Sequence, residues 1–194
     1  MQKHLTSFLR PVIMLLLFLM CRHVYPGDDI SRDPKCKESR LGDLLLRVSE
    51  GNKELASIGS YTIALYRLDG DLPDFVTGLV RPRTGTVERV WITQLDKGKE
   101  PEIIVWTTCA GTGAIGKIDL FRFTDGKIVP LPLDSSKVIN IDGYMGHDEF
   151  KMENGKLFRT FPLYKDSDPN STPTGGTMKM VLDFKNMEWK PVKN

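Results

Sequence analysis

Histidine and cysteine are scarce, with three of each in 194 residues. His4 and His23 fall within the first 27 residues, so His147 alone serves a mature chain, and a zinc site built from several histidines of one subunit is excluded. A long apolar run is missing too. Pro11–Met20 (PVIMLLLFLM) is ten residues long, and Arg10 stops it well short of the roughly 18 residues a transmembrane helix needs, so no integral membrane span is expected. There is no block of Lys and Arg either. Because Lys3, Arg10 and Arg22 are the only charges up to Gly27, the remaining 167 residues carry 24 bases against 25 acids, a formal charge of −1. Such a balance argues against nucleic acid as a partner. With 40% hydrophobic and 9% aromatic residues, the composition is that of a folded domain with one sizeable core.

A basic start, a ten-residue apolar core and polar sequence around Pro26-Gly27-Asp28-Asp29 follow the order of a secretory signal peptide over residues 1–27. The expected location is therefore periplasmic or secreted. Lipoprotein anchoring at Cys21 is disfavoured, because Phe18-Leu19-Met20 lacks the small residues that such processing uses. Residues 28–42 read as a polar N-terminal segment and residues 43–194 as the domain. Export would leave Cys36 and Cys109, an even count compatible with one disulfide. Closing a loop of about 74 residues would stabilise the fold by roughly 4 kcal/mol on the chain-entropy account. Two separate thiols are the alternative.

Hydrophobic periodicity of two dominates the rest. Tyr61, Ile63 and Leu65 alternate with Thr62, Ala64 and Tyr66, and Val87, Trp91 and Leu95 share one face of a run whose other face carries Glu88, Val90, Ile92 and Gln94. Glu102–Thr108 (EIIVWTT) reads as a central strand covered on both faces, and Ile118–Phe123 follows as another core strand. Asp125-Gly126 and Asn154-Gly155 tolerate positive φ and suit tight hairpin turns, with Lys185-Asn186 a third turn. The segment Lys37–Arg47 is readable as a helix, or as a strand from Leu44 to Val48. The pattern predicts an all-β, antiparallel sandwich or barrel in one domain.

Little in this inventory suggests catalysis. A Ser/His/Asp relay would have to run through His147 in Gly143-Tyr144-Met145-Gly146-His147-Asp148, and no serine sits in a G-x-S-x-G elbow. A turn histidine bonded to local backbone or to Asp148 accounts for it without chemistry. Leu95–Glu102 resembles an acidic calcium loop, yet Lys97 and Lys99 stand where such a loop carries an oxygen ligand or glycine. No acidic pair stands out for glycoside hydrolysis. The most informative stretch is Cys109-Ala110-Gly111-Thr112-Gly113-Ala114-Ile115-Gly116, which follows a buried-looking strand and suits close backbone approach to a partner. A phosphate cradle is its rival, without the G-K-[ST] or helix that one requires.

Several segments in order carry a family resemblance. Ser57-Ile58-Gly59-Ser60-Tyr61 with Leu65-Tyr66, Gly78-Leu79-Val80-Arg81-Pro82-Arg83, Gly85-Thr86-Val87-Glu88, Pro101–Val105 and the Ala110–Gly116 loop resemble the bacterial periplasmic inhibitors of invertebrate-type (i-type) lysozyme. Gly143–Asp148, Phe161-Pro162-Leu163-Tyr164 and Pro173-Thr174-Gly175-Gly176-Thr177 resemble the same broader family, so the likeness spans about residues 43–184. The resemblance implies a barrel-like β-sandwich that inhibits lysozyme, i-type favoured, without catalytic residues, cofactor or metal. It implies that an exposed S-G-x-x-Y loop enters the enzyme's cleft while a lysozyme loop enters a pocket on the inhibitor, and it is compatible with a homodimer. Thr112, Gly113, Ala114, Ile115 and Gly116 occupy the position of that loop. Thr112 keeps the serine's hydroxyl, whereas Ile115 replaces the tyrosine and its aromatic area. Tyr144, Gly146, His147 and Asp148 form a second candidate partner surface. A non-inhibitory β-sandwich binding or envelope structural protein is the alternative, and a hydrolase using unassigned acids is a third reading.

Overall fold

The computed structural model of the chain describes residues 35–70, 72–95, 98–134, 138 and 140–192. The expected signal peptide over residues 1–27, its cleavage point and Cys21 lie outside the described residues. Twelve strands occur among those residues: β1 (Cys36–Leu41), β2 (Leu44–Glu50), β3 (Ile58–Arg67), β4 (Asp74–Thr84), β5 (Thr86–Thr93), β6 (Glu102–Thr108), β7 (Gly116–Thr124), β8 (Lys127–Leu131), β9 (Glu149–Glu153), β10 (Lys156–Pro162), β11 (Thr177–Asp183) and β12 (Glu188–Pro191). They make three open four-stranded sheets, ordered β1-β2-β3-β4, β5-β6-β7-β8 and β12-β11-β10-β9. All pairings within the sheets are antiparallel. The all-β antiparallel expectation holds, with a third layer in place of a closed barrel.

The middle sheet is covered twice. Leu46, Val48, Tyr61, Ile63 and Leu65 of the first sheet pack with Val87, Val90, Ile92, Ile103, Val105 and Phe121 in one core. In the second core Ile104, Ile118 and Leu120 meet Phe150, Leu157, Phe161, Met180, Leu182 and Trp189 of the third sheet. The near-continuous apolar run of β6 serves this arrangement, because successive side chains enter opposite cores.

Three expectations need correction. The face assignment in β5 fails because the register shifts between Val87 and Arg89. The extra residue puts Val87 on the same side as Val90 and Ile92, while Trp91 and Leu95 pack into the second core. The helical reading of Lys37–Arg47 gives way to the β1–β2 hairpin, whose pairing continues down to Leu41 opposite Leu44. β1 lies within the segment 28–42 and pairs along its whole length with β2. Finally, Cys36 and Cys109 are not joined to each other. Cys109 Sγ instead lies 3.9 Å from Thr84 Oγ1.

The turns form for the reasons their sequences suggest. Asp125 and Gly126 have φ of 49° and 73°, and Asn154 and Gly155 have 50° and 71°. Each pair closes a two-residue hairpin, Thr124 opposite Lys127 and Glu153 opposite Lys156, with the twist that left-handed residues supply. Lys185 and Asn186 sit in a longer turn, where Asp183 Oδ1 accepts both of their backbone N–H groups at 3.1 and 3.3 Å.

Candidate functional site: a braced loop beside a cleft

Residues 109–115 connect β6 to β7 and form a narrow-necked loop. Cys109 N–H donates to Ile115 O at 3.0 Å, and Ala114, with φ of 40°, donates its N–H to Gly111 O at 2.9 Å. Ala110, Gly111 and Thr112 are exposed, and Ile115 keeps 45% of its surface.

A second segment, residues 143–148, lies directly against it. His147 N–H donates to Gly113 O at 2.7 Å. Gly116 N–H donates to Asp148 Oδ2 at 2.8 Å. The fit leaves no room for side chains: a Cβ on Gly146 would sit 2.0 Å from Gly113 O, and one on Gly113 would sit 2.7 Å from Met145 O. Gly146 also has φ of 96°, so both sterics and backbone conformation require glycine there. Asn170, between β10 and β11, adds a third contact, donating from Nδ2 to Thr112 O at 3.0 Å. Its Oδ1 lies 3.5 Å from His147 Nε2.

Beneath the loops is a buried polar knot. Arg159 on β10 donates from Nε to Asp148 Oδ1 at 2.7 Å and from Nη2 to Tyr144 Oη at 2.8 Å. Tyr144 Oη in turn donates to Asp148 Oδ2 at 2.7 Å. The guanidinium carbon lies 5.4 to 5.8 Å from the ring centroids of Tyr144, Phe150, Phe161 and Trp189, a cation surrounded by aromatic rings. Burial, reinforced by the bond to Asp148, raises the Tyr144 phenol above its ordinary pKa.

The structure thus brings the two sequence-predicted candidate segments together. Gly146 and Asp148 are buried, and Tyr144 and His147 are half-buried. Asp148 is committed to Gly116, Tyr144 and Arg159, and His147 turns instead to Gly113 O through its N–H and to Asn170 through its ring. The exposed member of the segment is Met145, at 46%, which sequence reading passed over. Arg159 and Asn170 were missed as well. Arg159 carried a signal, since it alternates inward between Leu157 and Phe161 where a charge demands a partner. Asn170, in a turn-rich polar stretch, carried none.

From the loop a cavity of about 380 Å³ runs along β7, lined by Ile115, Lys117, Asp119, Arg81, Leu131 and Tyr144 among others. Asp119 in its wall is held by the fully buried Tyr61, whose hydroxyl donates to Asp119 Oδ2 at 2.7 Å. Among the described residues, no helix is long and apolar enough to cross a membrane.

A loop held by hydrogen bonds from two other segments thus stands beside a cleft on stacked β-sheets. The family model described as periplasmic lysozyme inhibitor of I-type lysozyme matches residues 39–150. The chain belongs to that family. Among solved structures it is similar to PliI-Ah, the periplasmic lysozyme inhibitor of I-type lysozyme from Aeromonas hydrophila, at 31% identity over 49% of this chain and 83% of that one, with a TM-score of 0.43. It is also similar to Aeromonas hydrophila PliI in complex with Meretrix lusoria lysozyme, at 29% identity over 51% and 89%, with a TM-score of 0.39. No curated protein sequence matches. The family match takes in the second half of β1, all of β2–β8, the Gly-rich loop and residues 143–148, and ends at Phe150 in β9. Phe161–Tyr164 and Pro173–Thr177, counted above in the wider likeness, fall beyond it.

Proposed function

We propose that this chain inhibits an i-type lysozyme in the periplasm by seating Thr112–Gly116 in the enzyme's active-site cleft, without itself performing chemistry. The observation that carries the reading is an exposed loop, held by hydrogen bonds from two neighbouring segments, in a member of an inhibitor family. A loop already fixed in one conformation loses little freedom on docking, which favours tight binding. Thr112 offers a hydroxyl for one bond to the enzyme. Ile115 packs its Cγ1 over Gly146 with Met145 nearby. That pair supplies an apolar contact where the family's tyrosine would stand. The cleft beside Ile115 is the place for a loop from the partner.

The test is cell-wall lysis by i-type, chicken-type and goose-type lysozymes with the purified protein added. Protection against the i-type enzyme is expected, and binding to no lysozyme in calorimetry would overturn the reading. Thr112→Ala should weaken binding by about 1 to 3 kcal/mol with an unchanged melting temperature, because the side chain is exposed. Ile115→Tyr should strengthen it by restoring aromatic area.

A further inference from the structure

The contacts that hold the recognition loop in place come from outside it. Within the loop the backbone bonds are Cys109 to Ile115 and Ala114 to Gly111. The remaining anchors on Thr112 O, Gly113 O and Gly116 N are Asn170, His147 and Asp148. Asn170 lies 20 residues past the end of the family match at residue 150, in the connection between β10 and β11 of the third sheet.

That connection is itself built to be stiff. The buried Tyr164 donates its hydroxyl to Asn170 O at 3.0 Å. Asp168 accepts the backbone N–H groups of Lys165 at 2.8 Å and Thr174 at 2.7 Å. Leu163 N–H bonds Gly176 O at 2.9 Å, and Gly175 N–H bonds Leu163 O at 2.8 Å. Tyr164 N–H bonds Gly143 O at 2.9 Å, which ties the connection to the 143–148 segment. One asparagine therefore touches the loop through Thr112, approaches the segment beneath it through His147 and is fixed from behind by Tyr164. Such a side chain limits the conformations a loop samples before it meets a partner.

We propose that Asn170 is a positioning residue for lysozyme recognition, and that the third sheet with its β10–β11 connection is a brace holding the Thr112–Ile115 loop in its docking conformation. The inference rests on the reading of that loop as the recognition element. It assigns to the region beyond the family match a role in recognition without contact with the enzyme.

Asn170→Asp tests it, since the shape is kept while the Nδ2 donor is replaced by an oxygen facing Thr112 O. Asn170→Ala removes the contact without adding charge. Amide exchange in the free protein, binding kinetics with i-type lysozyme and melting temperature are measured on both. The expected result is lost protection at the His147 and Ala114 amides, a slower association rate and about threefold to tenfold weaker binding. Protection in β6 and β7 and the melting temperature stay as in the parent, which a merely structural role would not give. Unchanged loop protection and affinity in both variants would overturn the brace. Gly113→Val, whose Cβ meets Met145 O, serves as control. If Gly113→Val weakens binding and the Asn170 variants do not, the brace alone is refuted. If Gly113→Val leaves binding intact, the recognition reading beneath it falls.

Discussion

The two faces of the β5-β6-β7-β8 sheet bury different chemistry. Toward the first sheet lies a core of Leu, Ile and Val with Tyr61 and Phe121, in which Leu46, Val48, Ile63, Leu65, Ile103 and Val105 are fully buried. Toward the third sheet lie Phe150, Phe161, Trp189, Trp106 and four methionines, and among the aromatics sits an arginine that is 3% exposed, paired with an aspartate that is fully buried. The first core is close packing of branched side chains, with the buried Arg83–Glu50 ion pair beside it at the Val87 end of β5, apart from the hydrogen bonds that hold residues 110–115. The second spends burial on an ion pair whose aspartate also holds Gly116 N–H at the base of the loop. A buried ion pair is a poor way to add stability and a good way to fix one geometry. Its location under the loop suggests that geometry is its use.

The sharpest break is at Arg159. Arg159→Ala strands Asp148 without its cation, and should destabilise the protein by about 3 to 5 kcal/mol, read as denaturant unfolding. Arg159→Met with Asp148→Leu should recover most of that stability, because apolar residues of similar volume replace both charges. Lysozyme binding should not recover with it, since Gly116 N–H still lacks its acceptor. If the double variant regains both stability and affinity, the pair is packing material only.

Ile63→Ala is the matching break in the first core. Ile63 is fully buried between Val48 and Leu79 in register. Its truncation should cost about 2 to 4 kcal/mol of unfolding free energy through lost transfer and a residual cavity. Below the unfolding transition, affinity for lysozyme and amide protection in the 109–116 loop should equal the parent's. A loop loosened by Ile63→Ala would erase the distinction between the two cores.

How much of this was legible follows the same division. The first core and the hairpins could be read, because period two over Tyr61–Leu65 and the Asp-Gly and Asn-Gly turns are local signals. The doubly apolar β6 announced a covered strand, though not that a third sheet would do the covering. The bulge near Glu88 was invisible, since one unpaired residue inverts the alternation of Val90 and Trp91 without any change in composition. The Gly-rich loop stood out by its glycines. Its support did not, because Asn170 and Asp148 act at sequence distances of 58 and 32 residues. Asp148 was noticed for its neighbour His147, while the partner that gives it meaning is Arg159, eleven residues on.

The smallest expected effect is acid loosening of the brace through Asp168. Its carboxylate is held below the ordinary Asp value by the backbone N–H of Lys165 first, then by that of Thr174, against a smaller opposing cost of burial. A carboxylate with a lowered folded-state pKa contributes order that is present above its unfolded value, about 3.9, and is lost as the pH falls through the lower folded value. Between pH 5 and 8 the β10–β11 connection should therefore keep constant protection at the Lys165 and Thr174 amides. Protection, corrected for intrinsic exchange, should decline only below about pH 4, with the His147 amide following because Asn170 lies two residues from Asp168. The group is at the surface, so the change should stay local, leaving protection in the first core's β3 unaffected. Asp168→Asn removes the titrating group, and its protection pattern should then be weaker at neutral pH and flat on acidification. A decline centred above pH 5 in the parent, or an unaltered acid limb in Asp168→Asn, would show that some other group governs the connection.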